Sequence, residues 1–386
     1  MKVSVLGCGT VGGGVIQDLA AAGFELGPAL VRIGKVREVY QTANFLDILR
    51  DPTVDAVVET LGGLEPARDY CAAALRAGKS VVTANKALVG DSGPELAALA
   101  RENGVGFLFS SACGGGVPFL PNLSAAAESG VTVVGGVLNG TTNYLLDAMQ
   151  RRELSFSAAL LEAQKLGYAE ADPAEDLNGL DTARKLALAC AVGFSLLPPE
   201  RTVSCEGVQE FTAEDAAYMD ARDLVCRLYA RAERKERSYT ACVQPTLFPR
   251  SAPESTLRGC ENMARYETDV QAVVLTGSGA GRRPTAGAVI RDLLTLRRGQ
   301  LVMLPKNCRR EEPDNSLLSC RYLFRVPAVL AGEVPGQPES FGENVWVETP
   351  AMPVVSAHGL AARLRERGPV FFAALADQKE ERICAD

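Results

Sequence analysis

Two stretches of this sequence hold residues whose types and spacing could do chemistry. The first is Gly7-Cys8-Gly9-Thr10-Val11-Gly12, a G-x-G-x-x-G run. Gly7 permits a tight turn, Gly9 lets a pyrophosphate approach the backbone, and Gly12 lets the next helix pack closely on the preceding strand. The phosphates would sit on free N–H groups at the helix N-terminus. The second is the acidic run Gly167–Asp176 (GYAEADPAED), which leads into Leu177–Lys185 (LNGLDTARK). Asp181 and Lys185 stand four residues apart and share a helix face. Such a pair is either a surface ion pair or part of a cleft. The carboxylates Glu170 and Asp176 upstream favour the cleft: together these groups could hold an ammonium-bearing substrate and supply an acid–base lysine. A second lysine, Lys86, follows Thr83-Ala84-Asn85 at the C-terminal end of a predicted strand, where parallel sheets bind ligands.

The segment Leu30–Arg37 (LVRIGKVR) refines the cofactor. An NAD-selecting acid is expected near the end of the second strand, and here Arg32, Lys35 and Arg37 stand instead. Cations suit a 2′-phosphate, so NADP is the expected cofactor. The alternative reads them as solvated surface charges, with NAD accepted.

Composition bounds the rest. The chain has 386 residues, 40 Lys+Arg against 47 Asp+Glu, and a net charge of −7. That length predicts two or three domains, and that charge offers no basic footprint for nucleic acid. No apolar run reaches the ~18 residues of a membrane span. The N-terminus meets its glycines too early for a signal peptide, and the 11 cysteines include no C-x-x-C pair. Both point to a reducing cytoplasm. His358 is the single histidine, which argues against a Ser-His-Asp triad or a multi-histidine zinc site. Proton transfer then falls to Lys, Asp, Glu, Tyr or Cys.

The elements that must position these residues read as follows. Strands are expected at Lys2–Leu6, Ala29–Ile33, Asp55–Thr60, Ser80–Ala84 and Gly106–Ser110. Helices are expected between them at Thr10–Ala22, Glu65–Ala77 and Pro94–Asn103. This alternation predicts an α/β fold: a Rossmann-type doubly wound parallel sheet over residues 1–115. The pattern then changes to an α+β catalytic and dimerisation domain over 116–315. Its helices are expected at Val117–Ser129, Asn143–Arg152, Phe156–Leu166, Leu177–Val192 and Thr285–Arg297, and its strands at Thr132–Leu138, Tyr239–Phe248 and Val270–Gly277. Residues 316–386 read as a small C-terminal extension.

Three ordered blocks make the chain resemble homoserine dehydrogenase over about residues 1–297: Gly136–Tyr144 (GVLNGTTNY), Leu166–Lys185, and Gly277–Ala286 (GSGAGRRPTA). The resemblance implies NAD(P)-dependent interconversion of L-aspartate 4-semialdehyde and L-homoserine in threonine and methionine biosynthesis, by a homodimer. It implies that Lys185 is the proton donor and acceptor, with Lys86 a second essential lysine. It assigns Glu170, Asp181, Asp176 and Thr141 to the substrate. It assigns Gly7, Gly9, Thr10, Val11, Gly12, Arg32, Thr60, Lys86, Gly167 and Gly281 to the cofactor.

Departures accompany the resemblance. The family's monovalent-cation site falls at Ser110–Pro118, but its glutamate is Ser110 here. That leaves the backbone carbonyls of Cys113, Gly115 and Val117, and predicts weak cation binding unless a carboxylate from a distant segment fills the gap. The family's C-terminal ACT-type domain is matched by Cys320–Val326 as an opening strand, without the usual turn into the next helix. Val345–Glu348, Ala357–Arg367 and Pro369–Ala376 would complete a degenerate version, and a purely structural extension is equally compatible. No kinase-like segment precedes residue 1, so a monofunctional chain is expected rather than an aspartokinase fusion. Two other functions stay open on these residues: a dehydrogenase of another amino-acid semialdehyde, and a non-catalytic NADP-binding regulator on the same scaffold.

Overall fold

The first strand, Lys2–Leu6, has no polar face: Val3, Ser4, Val5 and Leu6 all lack exposed surface. A strand buried on both sides needs cover on both sides, which helical crossovers between parallel strands provide. The computed structural model describes residues 1–236, 238–279 and 281–376, and it divides them into two units. One holds Met1–Ser129, Ala187–Glu200 and Ser278–Glu311; the other holds Gly130–Leu186, Arg201–Gly277 and the described residues from Glu312 onward.

The first unit is built on a seven-stranded sheet. Its main path runs Gln41–Thr42, Ala29–Leu30, Lys2–Leu6, Val54–Glu59, Ser80–Thr83, Phe107–Leu108, all paired in parallel. Numbered along the chain, that order is 3-2-1-4-5-6, the doubly wound dinucleotide-binding arrangement. The chain reverses direction across the sheet between Lys2–Leu6 and Val54–Glu59, so the crevice for a ligand opens beyond Leu6 and Glu59.

Local chemistry shifts some boundaries. The helix expected from Pro94 instead runs Lys86–Glu102, with Pro94 inside it. Asn85 starts it early, its side chain accepting from the Leu88 N–H at 3.1 Å. Proline cannot donate back to the Gly90 carbonyl. Arg310 donates to that carbonyl and to that of Asp91. The expected helix Leu177–Val192 is two helices, Ala174–Leu177 and Leu180–Phe194, broken at Gly179 with φ +84°.

The second unit carries a ten-stranded mixed sheet. Strands Leu224–Arg234 and Glu261–Thr268 and helix Ala213–Asp220 lie in stretches without an expected element. Leu224–Arg234 is rich in leucine, alanine and arginine, which are helix formers. It is a strand because Val131–Val137 and Tyr239–Pro249 pair it on both edges.

The C-terminal residues continue this sheet. Strand Phe371–Leu375 pairs in parallel with Tyr239–Pro249, and the path goes on through Tyr322–Val326, Asn344–Glu348 and Gln337–Phe341. In chain order these four lie 4-1-3-2, with helix Val354–Arg365 before the last, a β-α-β-β-α-β plan. The first crossover is only a 3₁₀ stretch, Ala328–Glu333, where the sequence lacks a turn into a full helix. Arg325 ties this segment in through Asp215 at 2.8 Å and the Glu210 carbonyl at 2.8 Å, both charges being buried.

Candidate active site

In the first unit the site begins with close approach. A Cβ on Gly12 would lie 1.9 Å from the Gly7 carbonyl oxygen and 2.6 Å from Thr60 Oγ1. Gly7 itself has φ +96°. Only glycine fits either place, and both hold helix Thr10–Leu19 tightly against the end of the first strand. Around Gly9 the space is open, with nothing within 4 Å of a Cβ built there. Thr60 closes the turn from the neighbouring strand, its hydroxyl donating to the carbonyls of Leu6 at 3.0 Å and Gly7 at 2.9 Å. The helix that starts at Thr10 has no side-chain cap, so its first-turn N–H groups beside this open space could serve a pyrophosphate as donors. Thr10 and Val11 lie in that turn, and Gly281, with φ +110°, caps helix Arg282–Arg297.

Arg32 and Lys35 follow strand Ala29–Leu30 and are exposed. Arg37 folds back onto its own loop, donating to the carbonyls of Val36 at 3.1 Å and Gly34 at 3.4 Å. Gln41 Oε1 holds the loop from the other end through the N–H groups of Arg37 at 2.8 Å and Glu38 at 3.2 Å.

Two side chains here escape a reading of motifs. Glu59 has no exposed surface and accepts from the N–H groups of Leu61 at 2.7 Å and Gly62 at 3.2 Å and from the Thr83 hydroxyl. It fixes the turn beside the glycine loop; a lone acid in an apolar strand was the available signal. Arg282 lies over the glycine-rich face of the first helix, its Cγ 3.2 Å from a Cβ built at Gly14. Lys86 opens helix Lys86–Glu102 just past strand Ser80–Thr83.

The second unit assembles the acid–lysine cluster. Lys185 Nζ lies 2.7 Å from Asp181 Oδ2, with both side chains about nine-tenths buried. It also donates to the Leu138 carbonyl at 2.7 Å. Asn139, which follows Leu138, donates to Asp176 Oδ1 at 2.7 Å and to Asp181 Oδ2 at 2.9 Å. Thr141 donates to the Tyr168 carbonyl at 2.6 Å and lies 3.1 Å from Asp176 Oδ2. Burial pushes the Asp176 carboxyl above its ordinary range, Asp181 adds to this, and the Asn139, Thr141 and Lys185 contacts oppose it. Asp181, Lys185, Asp176 and Thr141 are therefore brought together, with Asn139 as a member that residue spacing did not single out. Glu170 is exposed on the loop that follows Gly167, and its backbone carbonyl accepts from Gln164 at 3.3 Å. Gly167, with φ +75°, ends helix Phe156–Lys165 and starts that loop.

The loop at Ser110–Pro118 has its own answer to the missing glutamate. The Ser110 N–H donates to Asp292 Oδ2 at 2.8 Å and the Ser110 hydroxyl donates to Asp292 Oδ1. The distant carboxylate is present, but it is engaged by the serine. The Val117 carbonyl accepts from the Phe119 N–H at 2.8 Å. Asp292 is 2% exposed, and burial pushes it up to about 6 against the hydrogen bonds from Ser110.

Comparison with known proteins covers both units. A family model described as "Homoserine dehydrogenase, NAD binding domain" matches residues 7–110, and one described as "Homoserine dehydrogenase" matches 118–294. A homoserine dehydrogenase of Bacillus subtilis is 35% identical over 340 residues, covering 83% of this chain and 77% of that protein. One from Synechocystis is 36% identical over 316 residues, covering 77% and 73%. The crystal structure of a homoserine dehydrogenase from Thiobacillus denitrificans superposes with a TM-score of 0.85 at 30% identity, covering 98% of each chain. No helix among the described residues is long and apolar enough to cross a membrane.

Asp292 makes a pH prediction. Its folded value of about 6 lies above the ordinary 3.8, so the folded chain holds the extra proton between those values. Stability from this group is full below about pH 4 and is lost as pH rises through about 6. The loss is on the order of 3 kcal/mol, at about 1.4 kcal/mol per unit. Asp292→Asn removes this term. In urea unfolding from pH 4 to 7, the stability of the variant relative to the parent should rise by up to that amount. A difference independent of pH would refute the assignment.

Proposed function

The chain belongs to the homoserine dehydrogenase family, and on that premise we propose that Lys185 moves the proton in its reaction. The enzyme is a nicotinamide-dependent oxidoreductase that interconverts L-aspartate 4-semialdehyde and L-homoserine, a step of amino-acid biosynthesis. The bound nicotinamide supplies the hydride to the aldehyde carbon or takes it back. As that carbon is reduced its oxygen must gain a proton, and in the reverse direction the alcohol must lose it. Lys185 stands in an acidic cluster, held from two sides by Asp181 Oδ2 and the Leu138 carbonyl. An ammonium has three protons, so giving one up leaves two for those acceptors. The nitrogen keeps its place while its charge changes. This geometry is the observation that carries the reading.

In the same proposal Asp181, Asp176 and Thr141 orient the substrate, and the exposed Glu170 receives its α-ammonium. Lys86 acts as a second lysine at the cofactor end of its strand. Gly7, Gly9, Thr10, Val11, Gly12, Thr60, Gly167 and Gly281 hold the cofactor. Residues 1–115 form the nucleotide-binding domain, 116–315 the catalytic and dimerisation domain, and 316–386 a degenerate ACT-like extension, of which residues beyond 376 lie outside the described ones. The 4-1-3-2 strand order supports the last. A homodimer is supported by the edge strand Ala272–Ser278, whose Val274 is exposed.

Lys185→Ala should lower kcat by about 10²–10⁴-fold while cofactor binding survives. Steady-state turnover beside a cofactor titration checks this, and a kcat like the parent's would end the assignment.

The proposed cofactor preference is NADP. Arg32 and Lys35 support it, as cations at the end of the second path strand without an acid to select a ribose hydroxyl. NADPH should give the higher kcat/KM, and Arg32→Asp should erase or reverse the difference. Equal values for NADPH and NADH in the parent enzyme would contradict the preference.

Monovalent cations should activate weakly. The carbonyls of Cys113, Gly115 and Val117 would face a cation without a spare carboxylate, since Asp292 receives both Ser110 donors. No step of the reaction is routed through such an ion. Sodium chloride titrated against a large-cation salt at constant ionic strength is the measurement. Strong, saturable activation by sodium would overturn this part.

A further inference from the structure

We propose that Asn139 is a positioning residue for the proton-transferring lysine: its amide ties Asp176 to Asp181 and thereby sets how strongly Asp181 holds the Lys185 ammonium. This rests on the reading of Lys185 given above.

The backbone fixes the amide. Asn139 is the N-cap of helix Gly140–Arg152, with φ −127° and ψ 116°, and its Oδ1 accepts from the Thr142 N–H at 2.8 Å. An amide is planar, so anchoring Oδ1 also aims the two protons of Nδ2. One goes to Asp176 Oδ1 at 2.7 Å and the other to Asp181 Oδ2 at 2.9 Å. The residue is 2% exposed, which shields these bonds from competing water.

The shared oxygen makes the arrangement matter. Asp181 Oδ2 receives both Asn139 Nδ2 and Lys185 Nζ. A neutral donor on that oxygen draws off part of its charge and weakens its hold on the ammonium. The same amide neutralises part of the repulsion between buried Asp181 and half-buried Asp176, a repulsion that helps raise Asp176. The groups around Lys185 include Asp181 on its own helix, Asp176 from helix Ala174–Leu177, and Asn139 and the Leu138 carbonyl after strand Val131–Val137. The adjacent Arg184 pairs with Glu175 at 2.6 Å. Without the amide, Asp181 is more basic and the lysine keeps its proton to higher pH.

Few side chains can do both jobs. Serine and aspartate cap a helix about as well as asparagine. Serine is too short to bridge two carboxylates, and aspartate would add a third negative charge. Asn139→Ser and Asn139→Asp therefore keep the cap and remove the bridge, whereas Asn139→Ala removes both.

The test is the pH profile of kcat/KM for homoserine oxidation and for semialdehyde reduction, with thermal stability measured beside it. For Asn139→Ser we expect a melting temperature above that of Asn139→Ala, since the cap is kept, and a lysine limb moved up by about half to one pH unit. Homoserine oxidation below that limb should then fall by about 3–10-fold, recovering at high pH. Asn139→Asp should move the limb further. Asn139→Ala should move it like serine and lose stability as well. A limb that stays in place in Asn139→Ser, with activity kept or uniformly lost, overturns the proposal. Lys185→Ala separates the two readings. If its residual turnover keeps the parent's limb, the lysine assignment falls and the proposal with it. If the limb disappears there but does not move in Asn139→Ser, the proposal alone falls.

Discussion

A buried carboxylate oxygen shared between an ammonium and an amide is the constraint on which the catalytic unit turns. Removing two charges from water costs several kcal/mol per ion unless good geometry and added hydrogen bonds offset it. Asp181 and Lys185 lie on a helix whose other residues include Leu186, Leu188 and Ala189, all without exposed surface. Their pairing therefore depends on polar groups brought from elsewhere in the chain. The Leu138 carbonyl and the Asn139 amide meet that need because strand Val131–Val137 ends beside the pair. Gly179 meets another, since its left-handed turn lets a new helix start at Leu180 and point Asp181 inward.

The strand that brings Leu138 is itself set by glycine. A Cβ at Gly135 would lie 2.2 Å from the Ala230 carbonyl oxygen, and one at Gly136 would lie 2.0 Å from that of Met263. The strands on either side close in on this pair of residues, and no larger side chain fits. The nucleotide-binding unit solves a different problem by the same means. There Gly12 meets the Gly7 carbonyl and Thr60, and what is shaped is a surface of backbone N–H groups rather than a set of charges. Phosphate chemistry asks for donors at fixed positions, which backbone provides; proton transfer asks for a titratable group whose neighbours tune it.

Ser110 shows how a departure from a family pattern is absorbed. Losing a carboxylate from the loop does not leave a hole, because the serine hydroxyl and N–H turn to Asp292 on helix Arg282–Arg297. The negative charge remains in the neighbourhood, yet it is tied down by hydrogen bonds and its ionised form is disfavoured by burial.

By itself the sequence determined the elements whose signals are local. The strand–glycine–helix start, the paired Asp181 and Lys185, and the alternation that makes a parallel sheet all depend on residues within a few turns of each other. The resemblance added the reaction, and with it a role for Thr141 that spacing does not indicate. Tertiary structure decided what depends on distant partners. Leu224–Arg234, rich in helix formers, gives no local strand signal and is a strand because two neighbours pair with it. Pro94 reads as a helix start and sits within one, because Asn85 caps the chain earlier and Arg310 takes the carbonyl that proline leaves. Asn139 carries no signal of its own in the sequence, and only the fold places two carboxylates, 37 and 42 residues further on, against its amide. Hydrogen bonds and buried charges are satisfied in space, so their partners become legible only when the chain is folded.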